Sequence, residues 1–290
     1  MTFQRRLAAG NFVVLAEMNT PKGVNVSELI ANSRKIKGRV DAIIVPDMDN
    51  GVMRMSALAG GALVQQQGIE AIIHVYTRDR NRMALQGDIL AAHTLGIQNL
   101  VVVPGEKMAN GDHRDAAVVE DIDEVALIGA VRSLQEGVDM AGFALNGNPE
   151  FSIGCTLGTF ADDRALAEEL KTVEQKVAAG AGFIVAPPVF DVNHFSACLP
   201  KIAALNVPII ASVFLLKSVG IARYMALNEP GAHISEDVIK RIRKSPDRET
   251  ECLRIAGETA AALKQLVQGV KIETLGWEHK LPTILGFAGL

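Results

Sequence analysis

The sequence predicts an α/β protein in which eight parallel strands close into a (β/α)8 barrel, a single domain over residues 1–290. Three observations carry that expectation. Short Val- and Ile-rich runs alternate with longer helical patterns from one end of the chain to the other. Most of those runs are unbroken rather than alternating, as in strands buried on both faces of a parallel sheet. No Pro/Gly/Ser-rich tract divides the 290 residues into two units. A doubly wound sheet fits less well: it usually has fewer strands, and neither its GxGxxG fingerprint nor a P-loop is present.

In order, the expected strands are FVVLAE (12–17), DAIIVP (41–46), EAIIHVY (70–76), NLVVVPG (99–105), MAGFALN (140–146), GFIVAP (182–187), VPIIASVF (207–214) and GVKIETL (269–275). A helical stretch follows each of the first seven. NVSELIANSRKI offers Asn25 or Ser27 as its cap. RNRMALQGDILAAHTLG stops at Gly96, a natural residue just past a helix end. DRALAEELKTVEQKVAAG places Leu166, Leu170, Val173 and Val177 at helical spacing and stops at Gly180. DRETECLRIAGETAAALKQLVQG has the same pattern. The long connection before the last strand has room for two helices plus the segment 227–234. The sixth strand runs into Pro187 and Pro188, which cannot donate to a sheet ladder, so a central strand is expected to end there.

Composition narrows the function. A hydrophobic fraction of 49% and a charged fraction of 21% suit a globular enzyme. A net charge of −4 supplies no basic field for nucleic acid or an anionic membrane, and 4% aromatic residues leave little for base stacking. No stretch is long and apolar enough to span a bilayer, and the N-terminal run is broken by Gly10, Asn11 and Glu17. Cys155, Cys198 and Cys252 are scattered without a CxxC, so they are expected to be buried thiols in a reducing cytoplasm rather than disulfide or zinc ligands.

In such a barrel, chemistry belongs at the C-terminal strand ends. Glu17 ends the first strand, where an unpaired inward charge is poorly tolerated. After the second strand, Asp47, Asp49 and Asn50 fail the calcium-loop spacing and read as turn and cap residues. His74 lies within the third strand with Tyr76 on the same face, and Arg78, Arg80 and Arg82 follow at the strand–helix junction, where they either bind an anion or remain surface charges. Gly105 permits close backbone approach after the fourth strand. Glu106 beside it is expected to face Glu17 as a carboxylate pair, one member able to donate a proton. Asn146, ending the expected fifth strand, offers a hydrogen bond to a ligand or a turn. Lys217 offers charge to an anionic ligand, and Trp277, after the last strand, a cover for a planar one. No metal site is expected.

These strand ends resemble those of the methylenetetrahydrofolate reductase family over nearly the whole chain. LAEMNTP is similar to the family's first-strand motif, HVYT to its third-strand HLT, VVVPGE to the segment after its fourth strand, and KVAAGAGFIVAPPVFD to its most specific stretch. The resemblance implies a flavin-containing barrel that reduces 5,10-methylenetetrahydrofolate to 5-methyltetrahydrofolate. Glu17 then falls on the glutamate implicated in protonating folate N10, and His74, Gly105 and Lys176 on flavin-contacting positions; Tyr76, Asn146, Phe190, Lys217 and Trp277 are the candidates for contacting the folate substrate. FAD or FMN would be the cofactor, and NAD(P)H or a partner subunit the electron source.

The departures are specific. Glu106 replaces the family's aspartate, Gln175 stands where an arginine neighbours Lys176, and Pro187 occupies the place of a folate-binding glutamine. The threonine-tyrosine-glycine and histidine-glutamate flavin segments are missing. A second reading follows: a flavin-independent tetrahydrofolate methyltransferase exchanging methyl with a corrinoid protein or another donor. A non-catalytic partner subunit fits least. Barrels of this kind often form homo-oligomers, but no interface is legible.

Overall fold

Eight short segments, most of them Val/Ile-rich, pair side by side and in parallel, the last returning to the first. In the computed structural model, which describes residues 1–229 and 231–290, these are β1 (Val13–Glu17), β2 (Ala42–Val45), β3 (Glu70–Tyr76), β4 (Asn99–Val103), β5 (Ser152–Thr156), β6 (Phe183–Pro188), β7 (Ile209–Phe214) and β8 (Gly269–Glu273). They close in strict chain order, and β1 pairs with β8 through Leu15 opposite Lys271. The protein is therefore a single-domain (β/α)8 barrel, as the unbroken apolar runs predict.

Around the barrel lie α2 (Ser27–Ile36), α3 (Ala57–Gln66), α4 (Arg82–Thr94), α5 (Glu124–Gln135), α6 (Asp163–Ala179), α7 (Val192–Ala203), α8 (Val219–Asn228), α9 (Glu236–Lys244) and α10 (Arg248–Leu263). The connection between β7 and β8 thus carries three helices, where the sequence suggested two. α2 differs in its start: Val26 is the cap residue, and Asn25 instead accepts the Ser27 amide at 3.1 Å. Asp191 caps α7 by accepting the amides of Asn193 and His194.

Alternation along each strand sorts two apolar populations. Val13, Leu15, Ile44, Ile72, Val101, Phe183 and Ile210 fill the barrel, whereas Val14, Ala16, Ile43, Ile73, Val102 and Ala211 pack against the helices. Two end helices escape the sequence reading. α1 (Phe3–Ala8) closes the N-terminal end of the barrel by inserting Phe3 and Leu7, with the Phe3 ring edge-on to Phe183 at 5.4 Å between centroids. α11 (Leu281–Ala288) packs on α10.

The fifth strand corrects the expectation. MAGFALN does not form a strand. Val138 and Ala144 make one isolated antiparallel bridge, and the Asp139 carboxylate accepts the amides of Ala141 and Phe143 in a turn. The true strand is SIGCT, whose small residues give it little strand signature. Its glycine answers to packing: a Cβ on Gly154 would stand 2.3 Å from the Phe183 ring that fills the barrel beside it. β6 carries its ladder as far as Pro188, beyond the predicted stop, at the cost of a register shift against β7 between Ala186 and Pro188.

Candidate active site

Strand alternation brings Glu17 inward directly above Leu15, and closure sets it beside β8. A cavity of about 640 Å³ opens above it at the C-terminal end of the strands. Glu17, His74, Tyr76, Asp49, Glu106, Lys271 and Glu273 line its polar side, and Pro187, Phe190, Phe214, Ile221, Tyr224 and Met225 its apolar side. Phe190 and Phe214 meet edge to face at 6.1 Å.

Glu17 does not pair with Glu106, as the sequence suggested. Its Oε2 accepts from the Lys271 ammonium at 2.9 Å, and Lys271 also reaches Glu273 Oε1 at 2.7 Å. Glu17 is 7% exposed. Burial pushes its carboxyl up from 4.5 to about 8. Lys271 opposes that rise, while Glu273 and Asp49 reinforce it. The two flanking carboxylates hold the Lys271 ammonium above its ordinary range despite burial. At neutral pH the arrangement is a protonated Glu17 resting against a lysine cation that Glu273 counterbalances.

The second acid pair sits higher. Asp49 lies in a tight turn, Asp49–Gly51, flanked by Met48 and Asn50 at φ 52° and 56°, left-handed geometry that costs non-glycine residues about 1 kcal/mol or more each. That strained turn points Asp49 into the cavity, where burial first and Glu106 next raise its carboxyl to about 6. Glu106 Oε2 accepts the Asn50 amide at 3.1 Å. Arg78, 4% exposed, fastens the two loops together by donating to the Met48 carbonyl at 3.2 Å and the Glu106 carbonyl at 2.9 Å.

His74 and Tyr76 rise from β3 on the same inward face, their rings 6.0 Å apart. Burial, then the charge of Lys271, lowers His74 to about 3, so the ring is neutral. Neither of its nitrogens has a hydrogen-bond partner, although the residue is only 8% exposed. Burial drives the Tyr76 phenol well above its usual value, and the nearby carboxylates add to the effect.

The remaining predicted residues separate by place. Phe190 and Lys217 line the same cavity as Glu17. Lys217 donates to the Leu275 carbonyl and lies 5.4 Å from the centre of the Trp277 ring, so those two form one rim element. Gly105, at φ +86°, packs behind Tyr76, where a Cβ would come within 2.9 Å of its ring; its close approach is to protein. Lys176 sits in the helical layer, tied to Glu124 and to the Thr156 carbonyl at 3.3 Å. Asn146 is exposed ahead of β5, at the opposite end of the barrel, and belongs to a turn. The arginines are also committed: Arg78 to Asp79, Arg80 to Asp47 and Asp88, Arg82 to Asp121. Asp47 caps α3 by accepting the Ala57 amide, the role expected of it.

Asp49, Lys271 and Glu273 were missed as site residues. A signal for the last two was present: in GVKIETL they alternate with Val270 and Ile272, which places two charges on one face of a buried strand. Among the described residues no cluster of His, Cys, Asp and Glu is arranged to hold a metal, the three cysteines are free and buried, and no helix is long and apolar enough to cross a membrane.

The sequence pattern described as methylenetetrahydrofolate reductase matches residues 2–289. The chain belongs to that family. No curated protein matches the sequence. Similar solved structures include the EDTA monooxygenase EmoA from Chelativorans sp. BNC1 (9% identity, 96% of this chain and 94% of that one, TM-score 0.58). A 2,3-dimethylmalate lyase follows (10% identity, 99% and 84%, TM-score 0.55), with tryptophan synthase from M. tuberculosis (12% identity, 99% and 91%, TM-score 0.54). At such identities the likeness is one of fold.

Family membership makes flavin the group to test against these residues. The unpartnered His74 nitrogens and the apolar wall suit a planar heteroaromatic ring. The phosphate end of a flavin nucleotide is not matched. Lys176, the lysine nominated for it, is spent on Glu124 outside the cavity; of the cavity's own lysines, Lys271 is held between Glu17 and Glu273, and Lys217 lies at the rim against the Leu275 carbonyl and the Trp277 ring. The residues fit a pterin-like ring better than a flavin nucleotide.

Proposed function

We propose that this protein is an enzyme of one-carbon metabolism that reduces 5,10-methylenetetrahydrofolate to 5-methyltetrahydrofolate, with Glu17 as the proton donor. The observation that supports this reading is a carboxyl group buried at the base of the mouth, where desolvation favours its protonated form. Protonation of N10 by Glu17 opens the five-membered ring of the substrate to an N5 iminium cation. The acidic groups around it, Glu273, Glu106 and Asp49, favour a cation there. A reduced nicotinamide or flavin would supply the hydride to the methylene carbon, and the proton taken from Glu17 is replaced from solvent. One His74 nitrogen hydrogen-bonds the pterin ring, while Phe190 and Phe214 bound its apolar face.

The commitment of Lys176 favours one alternative: transfer of the methyl group of 5-methyltetrahydrofolate to a corrinoid protein, with no redox cofactor. Incubating purified protein with methylenetetrahydrofolate and NADH or NADPH, with and without added FAD or FMN, separates the two. Formation of 5-methyltetrahydrofolate, lost in Glu17→Gln, supports the reductase. Absence of product under every condition, together with demethylation of 5-methyltetrahydrofolate by a cob(I)alamin acceptor, overturns it in favour of the transferase.

A further inference from the structure

Lys271 lies at the centre of the barrel mouth, yet the chemistry above requires only Glu17. Its ammonium contacts Glu17 Oε2 at 2.9 Å and Glu273 Oε1 at 2.7 Å, and its side chain is 9% exposed. An ammonium has three N–H donors and no acceptor. A protonated Glu17 therefore favours carrying its proton on the other oxygen, because a carbonyl oxygen accepts from the ammonium far better than a carboxylic hydroxyl does.

We propose that Lys271 is a positioning residue for proton transfer: by occupying Oε2 it confines the Glu17 proton to Oε1, the oxygen left for the ligand, while Glu273 supplies the counter-charge that lets a lysine cation rest against a neutral acid. The proposal rests on the functional reading only in naming folate N10 as the proton's destination. The placement of the proton follows from the contacts themselves.

The charges that act on Glu17 come from four directions. Lys271 and Glu273 stand on β8, Asp49 in the turn after β2, His74 and Tyr76 on β3, and Glu106 after β4. His74 is neutral, so Lys271 is the one cation in contact with the acid. Lys271 draws the Glu17 titration down, and Glu273 and Asp49 push it up. Substitution at Lys271 and at Glu273 must therefore move that titration in opposite directions, an outcome a purely structural role for either residue would not produce.

The test is an infrared titration of the carboxylic C=O stretch in the full, ligand-free protein, with the Glu17 band assigned by its disappearance in Glu17→Gln. Lys271→Met is expected to raise the pH at which Glu17 loses its proton and to move the C=O band to higher wavenumber, because the ammonium hydrogen bond to Oε2 is gone. Glu273→Gln is expected to lower that pH, and Lys271→Arg, also a pure donor, to restore wild-type behaviour. In turnover assays at a pH where Glu17 stays protonated, Lys271→Met is expected to lose about tenfold or more of kcat with little change in KM. A Glu17 titration and band that stay at their wild-type positions in both Lys271→Met and Glu273→Gln overturn the proposal. Because the infrared arm needs no substrate, band shifts without folate turnover would count against the proposed reaction and leave the proton placement standing. Turnover with unmoved bands would do the reverse. Glu273→Gln alone decides the direction of the effect should Lys271→Met fail to fold.

Discussion

Replacing Glu17 by Gln should change the pH dependence of stability more than stability itself at acid pH. In the folded protein this carboxyl keeps its proton to about pH 8, against 4.5 for an ordinary glutamate. Between those values the native state holds a proton that the unfolded chain has released, so stability falls as pH rises through the window and the loss is complete above it. At about 1.4 kcal/mol per pH unit of displacement, the loss amounts to a few kcal/mol. Gln is nearly isosteric, stays neutral, and its carbonyl oxygen still accepts from Lys271, so the variant lacks this slope. Lys271 is raised from an ordinary 10.5, and its contribution is constant over the window and cancels in the comparison. Asp49, raised from 3.8 to about 6, adds its own slope to both proteins. Urea unfolding of wild type and Glu17→Gln from pH 4.5 to pH 8 should therefore give curves that diverge, with the variant increasingly the more stable. A difference between the two that does not vary with pH would refute a buried, protonated Glu17.

Three further outcomes follow from particular contacts. On the proposed mechanism, in which the acid form of Glu17 is the donor, reductase activity should fall as pH rises through about 8, and a pH–rate profile of kcat/KM checks it. Phe3→Ala should cost about 3–5 kcal/mol in urea unfolding, since Phe3 is fully buried at the closed end of the barrel, far from the cavity, and should leave KM unchanged. Arg78→Met should release the turns that carry Asp49 and Glu106, cost about 1–3 kcal/mol by removing the guanidinium's bonds to the half-buried Asp79 and to the Met48 and Glu106 carbonyls, and raise KM; calorimetry and steady-state kinetics read the two effects.

Much of this architecture is written in local pattern. Unbroken apolar runs mark buried parallel strands wherever they are long enough, which is why seven of the eight strands were legible and SIGCT, with its small residues, was hidden behind the more apolar MAGFALN. Two-residue alternation likewise placed Glu17, His74 and Tyr76 on inward faces. Position along a strand is local information, and a chain carries it from residue to residue. What each group meets there is not. Glu17 and Lys271 are 254 residues apart in sequence and touch only because the barrel closes β1 onto β8. Asp49 joins Glu106 because a left-handed turn and Arg78 pull two loops together. Lys176, promising by resemblance, is claimed by Glu124 from a neighbouring helix. By itself the sequence determined the barrel, seven of its eight strands and the acid that ends the first of them. The tertiary structure alone decided that acid's partner and its proton, because pairing and desolvation depend on distance through space, which closure of the sheet sets.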